Sequence, residues 1–219
     1  MSKGRGRHRQ GADVETFSRD EVEFLKQAAL FAWKERITKK IKLTLEHAHE
    51  ALAARLDPES LLLPEGMDVT RWQVVRGERF EDLPYVYLDF PQFFSRDTKF
   101  TYRSMFWWGS GFIFAMILEG AALDRYRENL LGAYSRLADR GLALSLAETP
   151  WEWKPTGPRL LPLRGENRDA VAAALANRTF LKLQSVLDFD ELAREEGVVS
   201  RKAVETFELL RHVVRRRPG

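Results

Sequence analysis

Between Arg103 and Glu119 the sequence RSMFWWGSGFIFAMILE carries fifteen residues without a charge. A helix of that length reaches about 22 Å, short of the roughly 30 Å hydrocarbon layer of a bilayer. Gly109-Ser110-Gly111 stands at its centre, and glycine between aromatic, β-branched segments signals a hairpin turn. The run therefore predicts two strands, over about 101–108 and 112–119, and no membrane crossing. Alternation sends Arg103, Met105 and Trp107 to one face and Tyr102, Phe106 and Trp108 to the other. Both faces are apolar near the turn, so the hairpin should be central in a sheet and covered on both sides.

The flanking patterns supply the rest. Ser18-Arg19-Asp20-Glu21 matches a capping box, and apolar residues then recur every three or four positions through Leu56 without Gly or Pro. Helix is expected over 19–56, as one rod or broken near Ile37–Lys40. A strand is expected at 69–76. LPYVYLDFP is a second, bracketed by Pro84 and Pro91, with Tyr85, Tyr87 and Asp89 on one face. After Ser95-Arg96-Asp97 and the hairpin come a helix over 121–140 ending at Gly141, a strand LALSLAE, and a Trp- and Pro-rich loop, TPWEWKPTGPRLLPL. Asn167 is expected to cap a helix over 168–177, TFLKLQSVL to form a strand, and helices near 188–196 and 200–215, separated by Gly197 and a Ser200 cap, to close the chain. Hairpins mixed with helical crossovers give an α+β fold. Its mixed, largely antiparallel sheet would be centred on the aromatic hairpin and covered by the long N-terminal helices and the crossover helices. The expected organisation is a disordered basic tail (1–13), one domain (14–215, with its sheet core over 69–186) and a basic end (216–219).

Charge changes this picture at the ends. The formal net charge is +3 over 219 residues. Residues 1–12 hold Lys3, Arg5, Arg7 and Arg9 with no acid, and residues 210–219 hold Arg211, Arg215, Arg216 and Arg217. What remains is 27 basic against 32 acidic side chains, so the body is acidic and the basicity lies in the termini. Arginines of this kind suit a phosphate backbone, with binding that falls as salt rises. Cysteine is absent, which removes disulfides and thiol catalysis and fits a reducing cytoplasm. The first residues lack the apolar segment of a secretory signal.

No catalytic signature occurs: no HExxH, no Walker loop, no GxGxxG before a helix, no GxSxG elbow. Glu46 and His49 have the i,i+3 spacing of half a di-iron carboxylate site, but no second copy exists, so LEHAHE is read as a solvated polar face. Neither metal nor other cofactor is expected. More informative are charges that interrupt apolar strands: Asp89, Arg103, Glu119 and Lys182. A three-residue turn at 109–111 would put Arg103 and Glu119 on one face, one diagonal step apart. Convergence of the four, with Trp107 and the loop tryptophans Trp151 and Trp153 around them, would make a polar centre in an aromatic cleft. The competing reading places them at strand ends or in a structural ion pair.

LPYVYLDFP followed by SRDTKFTYRSMFWWG resembles a set of bacterial proteins of unknown function marked by a Leu-Asp-Phe/Tyr-Pro element, a Phe-Ser-Arg turn and Arg-x-Met-Phe-Trp-Trp-Gly. Pro84, Asp89, Arg103, Trp107, Trp108 and Gly109 carry the likeness, which spans about 83–119 and implies no activity. The expected function is thus a cytoplasmic, non-catalytic binding module. Its basic ends (Arg5, Arg7, Arg9, Arg215, Arg216, Arg217) would meet nucleic acid or a ribonucleoprotein. The alternative is a small-molecule-binding protein or enzyme using the pocket of Asp89, Arg103, Trp107, Glu119, Trp151, Trp153 and Lys182.

Overall fold

In the computed structural model, which describes residues 16–216, one seven-stranded sheet carries the fold. The strands are β1 (Gln73–Phe80), β2 (Leu83–Phe94), β3 (Lys99–Trp107), β4 (Gly111–Glu119), β5 (Ala143–Ser145), β6 (Leu160–Pro162) and β7 (Phe180–Leu187). Their order is β1-β2-β3-β4-β7-β5-β6, and every pairing is antiparallel. The fold is α+β.

The chain divides into two units, Met1–Lys39 and Lys40–Gly219. In the first, α1 (Arg19–Leu25) starts with the expected capping box. Glu21 N–H donates to Ser18 Oγ at 3.2 Å, and Ser18 N–H donates to Glu21 Oε2 at 2.6 Å. The helical stretch breaks at Lys26–Gln27, not near Ile37–Lys40, before α2 (Ala28–Ala53) begins. Phe24, Leu25, Leu30, Phe31 and Trp33 are exposed, and Arg36 lies 3.9 Å over the Trp33 ring.

In the second unit the apolar stripe of α2 is buried at Ile41, Leu45, Ala48 and Leu52. Trp107 pairs with Gly111, so the central turn is Trp108-Gly109-Ser110, one residue earlier than expected. β3 and β4 are buried along nearly their whole length, as apolarity on both faces requires. One face is covered by helices: α3 (Leu123–Gly132) and α7 (Val198–Leu210) pack on β4 and β7, α5 (Arg168–Leu175) packs on α3, and the short α4 (Tyr134–Leu137) and α6 (Phe189–Leu192) pack on α7. Tyr102 reaches from β3 to donate to the Ala203 carbonyl at 2.7 Å, its ring 5.3 Å from Phe207. Tyr126 donates to Leu62 O at 2.7 Å.

Several boundaries move for local reasons. The first strand begins at Gln73, not at 69, because Asp68 accepts from Thr70 N–H and Oγ in a turn. The β1–β2 turn, Glu81-Asp82, has both residues at positive φ, the primed geometry that two-residue hairpins need, without its usual Gly or Asn. Pro91 lies inside β2, where the pairing with β3 shifts between Asp89 and Gln92, instead of closing the strand. Asn167 caps nothing; its amide donates to Pro162 O, and a 3-10 turn leads into α5. Gly197, not Ser200, sits at the start of α7.

The basic C-terminal end is tied down as far as it is described. Arg216 N–H donates to Ser60 O, and the Asn129 amide donates to Val213 O and Arg215 O at 3.0 and 2.9 Å. The Arg215 and Arg216 side chains are exposed. Arg5, Arg7, Arg9 and Arg217, with the tail expected at 1–13, lie outside the described residues, as does most of 216–219.

Gly111 is the backbone position the hairpin tolerates least in altered form. Its φ is +88°, and a Cβ there would meet the Leu187 carbonyl oxygen at 2.5 Å. Gly111→Ala should therefore cost at least about 2 kcal/mol, from left-handed strain plus backbone displacement. A lowered urea midpoint with an unchanged slope checks this.

Candidate functional site

The sheet face away from the helices carries Tyr85, Tyr87 and Asp89 on β2, then Arg103, Met105 and Trp107 on β3. Ile113, Ala115 and Ile117 on β4 and Lys182 and Gln184 on β7 continue it. Over β4 and β7 this face is covered by the loop following β5 instead of by helix. Trp153 packs with Met105, Trp107, Ile113, Ala115 and Ile117 in one apolar cluster. Over β1–β3 the cover stops, leaving a cup of about 380 Å³. Gln73, Phe80, Tyr85, Tyr87, Phe94, Arg103, Met105, Trp151 and Trp153 line it.

At the floor, Asp89 and Arg103 are register partners across β2 and β3. Arg103 Nε and Nη2 donate to the two carboxylate oxygens of Asp89, each at 2.7 Å, and Asp89 is fully buried. A planar guanidinium matched to a carboxylate fork is the strong, directional form of ion pair. The guanidinium carbon also lies 3.6 Å from the Tyr87 ring centre, and 5.3 and 5.4 Å from those of Trp151 and Trp153. Two of its five N–H donors are spent on Asp89, the Tyr87 hydroxyl is a further hydrogen-bond partner, and Arg103 lines the cup. Burial raises the Tyr87 phenol above its ordinary pKa, partly offset by the Arg103 charge.

The loop wall is held from below. Lys182, fully buried, donates to the carbonyls of Glu152 at 2.6 Å and Pro150 at 3.2 Å, with Nζ 3.5 Å from the centre of the Trp153 ring. The Gln184 amide donates to Lys154 O at 2.8 Å. Arg178 donates to Ala147 O, and Lys154 pairs with Glu81 in the β1–β2 turn. Burial, reinforced by Arg103, brings the Lys182 ammonium down to about 7; Glu152 opposes the shift. On β1, Gly77 lies opposite Tyr85, and a Cβ there would fall 2.2 Å from the Tyr85 ring. The missing side chain is what lets Tyr85 lie across β1, its ring parallel to Tyr87 at 6.0 Å.

Three of the four strand charges thus gather around one centre. The fourth, Glu119, does not join them. With the turn at 108–110, Arg103 faces Ala115, and Glu119, though on the same face, pairs across from Lys99 at 2.7 Å at the far end of the hairpin. Trp107 is a supporting wall, not a lining residue; its indole N–H donates to Phe80 O at 3.2 Å. Phe80, Tyr85, Tyr87, Phe94, Met105 and Gln73 were not among the sequence candidates, although the alternation that faced Tyr85 and Tyr87 with Asp89 pointed to two of them. His49 departs from the solvated reading: it stacks on Trp72 at 4.2 Å and meets Phe90 edge-on at 4.5 Å, and burial lowers its pKa. Among the described residues no group of His, Cys, Asp or Glu could hold a metal ion, and no helix is long and apolar enough to cross a membrane. No family model, curated protein or solved structure matches the chain.

Two outcomes are expected at the floor. Asp89→Ala leaves a buried guanidinium uncompensated and should cost about 3–5 kcal/mol, while joint replacement by Asp89→Leu and Arg103→Met costs far less; urea unfolding of both variants measures the difference. For Lys182 the folded pKa lies below its unfolded value of about 10.4, so the unfolded chain binds the extra proton between the two. Stability relative to Lys182→Met should then rise as pH climbs from about 7 towards 10. Thermal melts of the two proteins across that range decide it.

Proposed function

We propose that this protein is a binding module that holds a planar, mainly apolar ligand in the aromatic cup on the open face of its sheet. The observation that carries this reading is Arg103, fixed by Asp89 and flanked by the Tyr87, Trp151 and Trp153 rings, with N–H donors beyond the two that Asp89 takes. Small-molecule sites combine apolar walls of this size with a few placed polar groups. Rings at different inclinations offer stacking and edge contacts to a flat guest. Arg103 and Gln73 supply hydrogen-bond donors that orient it.

The charge around the cup favours a small guest over a nucleic-acid strand. Lys154 is paired with Glu81, and Arg159 with Glu152 and Glu148, so these two cations are turned to carboxylates and not held out as a track for a phosphate backbone. The reading from the basic ends rests mainly on residues outside the described ones, and the cup is the reading that the geometry supports best.

Trp151 is 39% exposed, so Trp151→Ala should fold normally while losing a wall of the cup. Gly77→Ala should displace the Tyr85 ring at little cost to stability, because the end of a side chain can yield where backbone cannot. In a thermal-shift screen of planar metabolites, a hit on the parent protein should weaken at least about tenfold in each variant. Hits that bind both variants as tightly as the parent would remove the cup from consideration.

A further inference from the structure

We propose that the occupant of the cup is an aromatic monoanion, a flat ring bearing one carboxylate, with the carboxylate directed to Arg103; this rests on the cup being the binding site. The argument begins with unmatched charge. Around the floor, the buried ionisable side chains are Asp89, Arg103 and Lys182. Asp89 and Arg103 cancel through two 2.7 Å contacts. Among the described residues, the partners of Lys182 are two carbonyl oxygens and the Trp153 ring. The carboxylate closest to it in effect, that of Glu152, is turned to Arg159 at 2.8 Å and is partly exposed. With Lys182 protonated the centre is one positive charge in excess, and both cations lie against the same ring, Trp153.

A low-dielectric site with one surplus cation attracts an anion and repels an amine. The aromatic walls alone would favour a cation, as aromatic cages do for quaternary ammonium groups. Arg103 already occupies that role, its guanidinium lying on the Tyr87 ring. What complements the cup is a negative group that accepts from the Arg103 N–H donors not spent on Asp89, attached to a ring flat enough to lie against the Trp151 wall.

The same surplus couples binding to protons. The groups acting on Lys182 are Arg103 from β3 and Glu152 from the loop, with Asp89 reaching it through Arg103. An anion in the cup adds to the pull of Glu152 and stabilises the ammonium, so a free protein that has lost this proton must regain it on binding. Affinity for an anion then declines as pH rises above about 7.

Three probes with one ring and three charges test this: indole-3-acetate, indole-3-acetamide and tryptamine, titrated by calorimetry at pH 6.5. The acetate should bind at least about tenfold tighter than the amide, and the amine weakest. At pH 8, repeating the acetate titration in buffers of different ionisation enthalpy should reveal net proton uptake. Lys182→Met, which also unties the loop wall, should erase the uptake and bring the acetate-to-amide affinity ratio close to one, whatever it does to the two affinities together. Equal affinity for all three probes, lost together in Trp151→Ala, would leave the cup standing and overturn the anion. Tightest binding by tryptamine would also overturn it. No saturable binding by any probe overturns it together with the cup.

Discussion

A sheet whose central strands are apolar on both sides must find two covers, and in this chain the covers differ in kind. Helices take one face with interlocking rings: Phe207 against Tyr102, Tyr126 against Phe100. The other face receives an irregular loop, which brings backbone carbonyls over an apolar surface where they need donors. Lys182 and Gln184 are those donors, projecting from the strand beneath to Pro150, Glu152 and Lys154. The cost is a buried ammonium, visible in its lowered pKa. The edge of that loop is also a wall of the cup, which remains where the loop ends.

The floor and the loop are also electrically joined. Arg103 and Lys182 share one indole as neighbour, one cation satisfied by a carboxylate and the other by carbonyl dipoles. Neutralising Asp89 or altering the loop changes the field felt by the other partner, so perturbations here are not additive. Tyr85 depends on a different device, the absence of a side chain at Gly77. The walls are thus set by local choices on β1, β3 and β7, of which the last two are coupled.

Much of this was legible in the amino-acid sequence. The apolar run between Arg103 and Glu119 announced a covered hairpin, and the charges interrupting strands announced Asp89, Arg103 and Lys182. Glu119 was misplaced because a turn shift of one residue leaves parity intact but moves the cross-strand neighbour by two. The strand at 160–162 was hidden in a proline-rich loop, since three residues carry no usable periodicity. The turn at Glu81-Asp82 lacked the glycine that normally marks one. The break at Lys26–Gln27 escaped for the complementary reason: neither residue is a helix breaker. Asn167 had the right chemistry for a cap, but its amide found Pro162 first.

Strand β7 enters the sheet between β4 and β5, joining neighbours far earlier in the chain. The meander from β1 to β4 closes through nearby contacts, whereas β7 must bridge a separation of some sixty residues to reach β4. Lys182 and Gln184 ride on that strand, so their hydrogen bonds to the loop wait for it to dock, while Lys154–Glu81 and the packing of Trp153 on β3 and β4 tie the loop to the meander. The loop is therefore held by the local meander and by the late-joining strand alike, and loosening either one frees one edge of the cup.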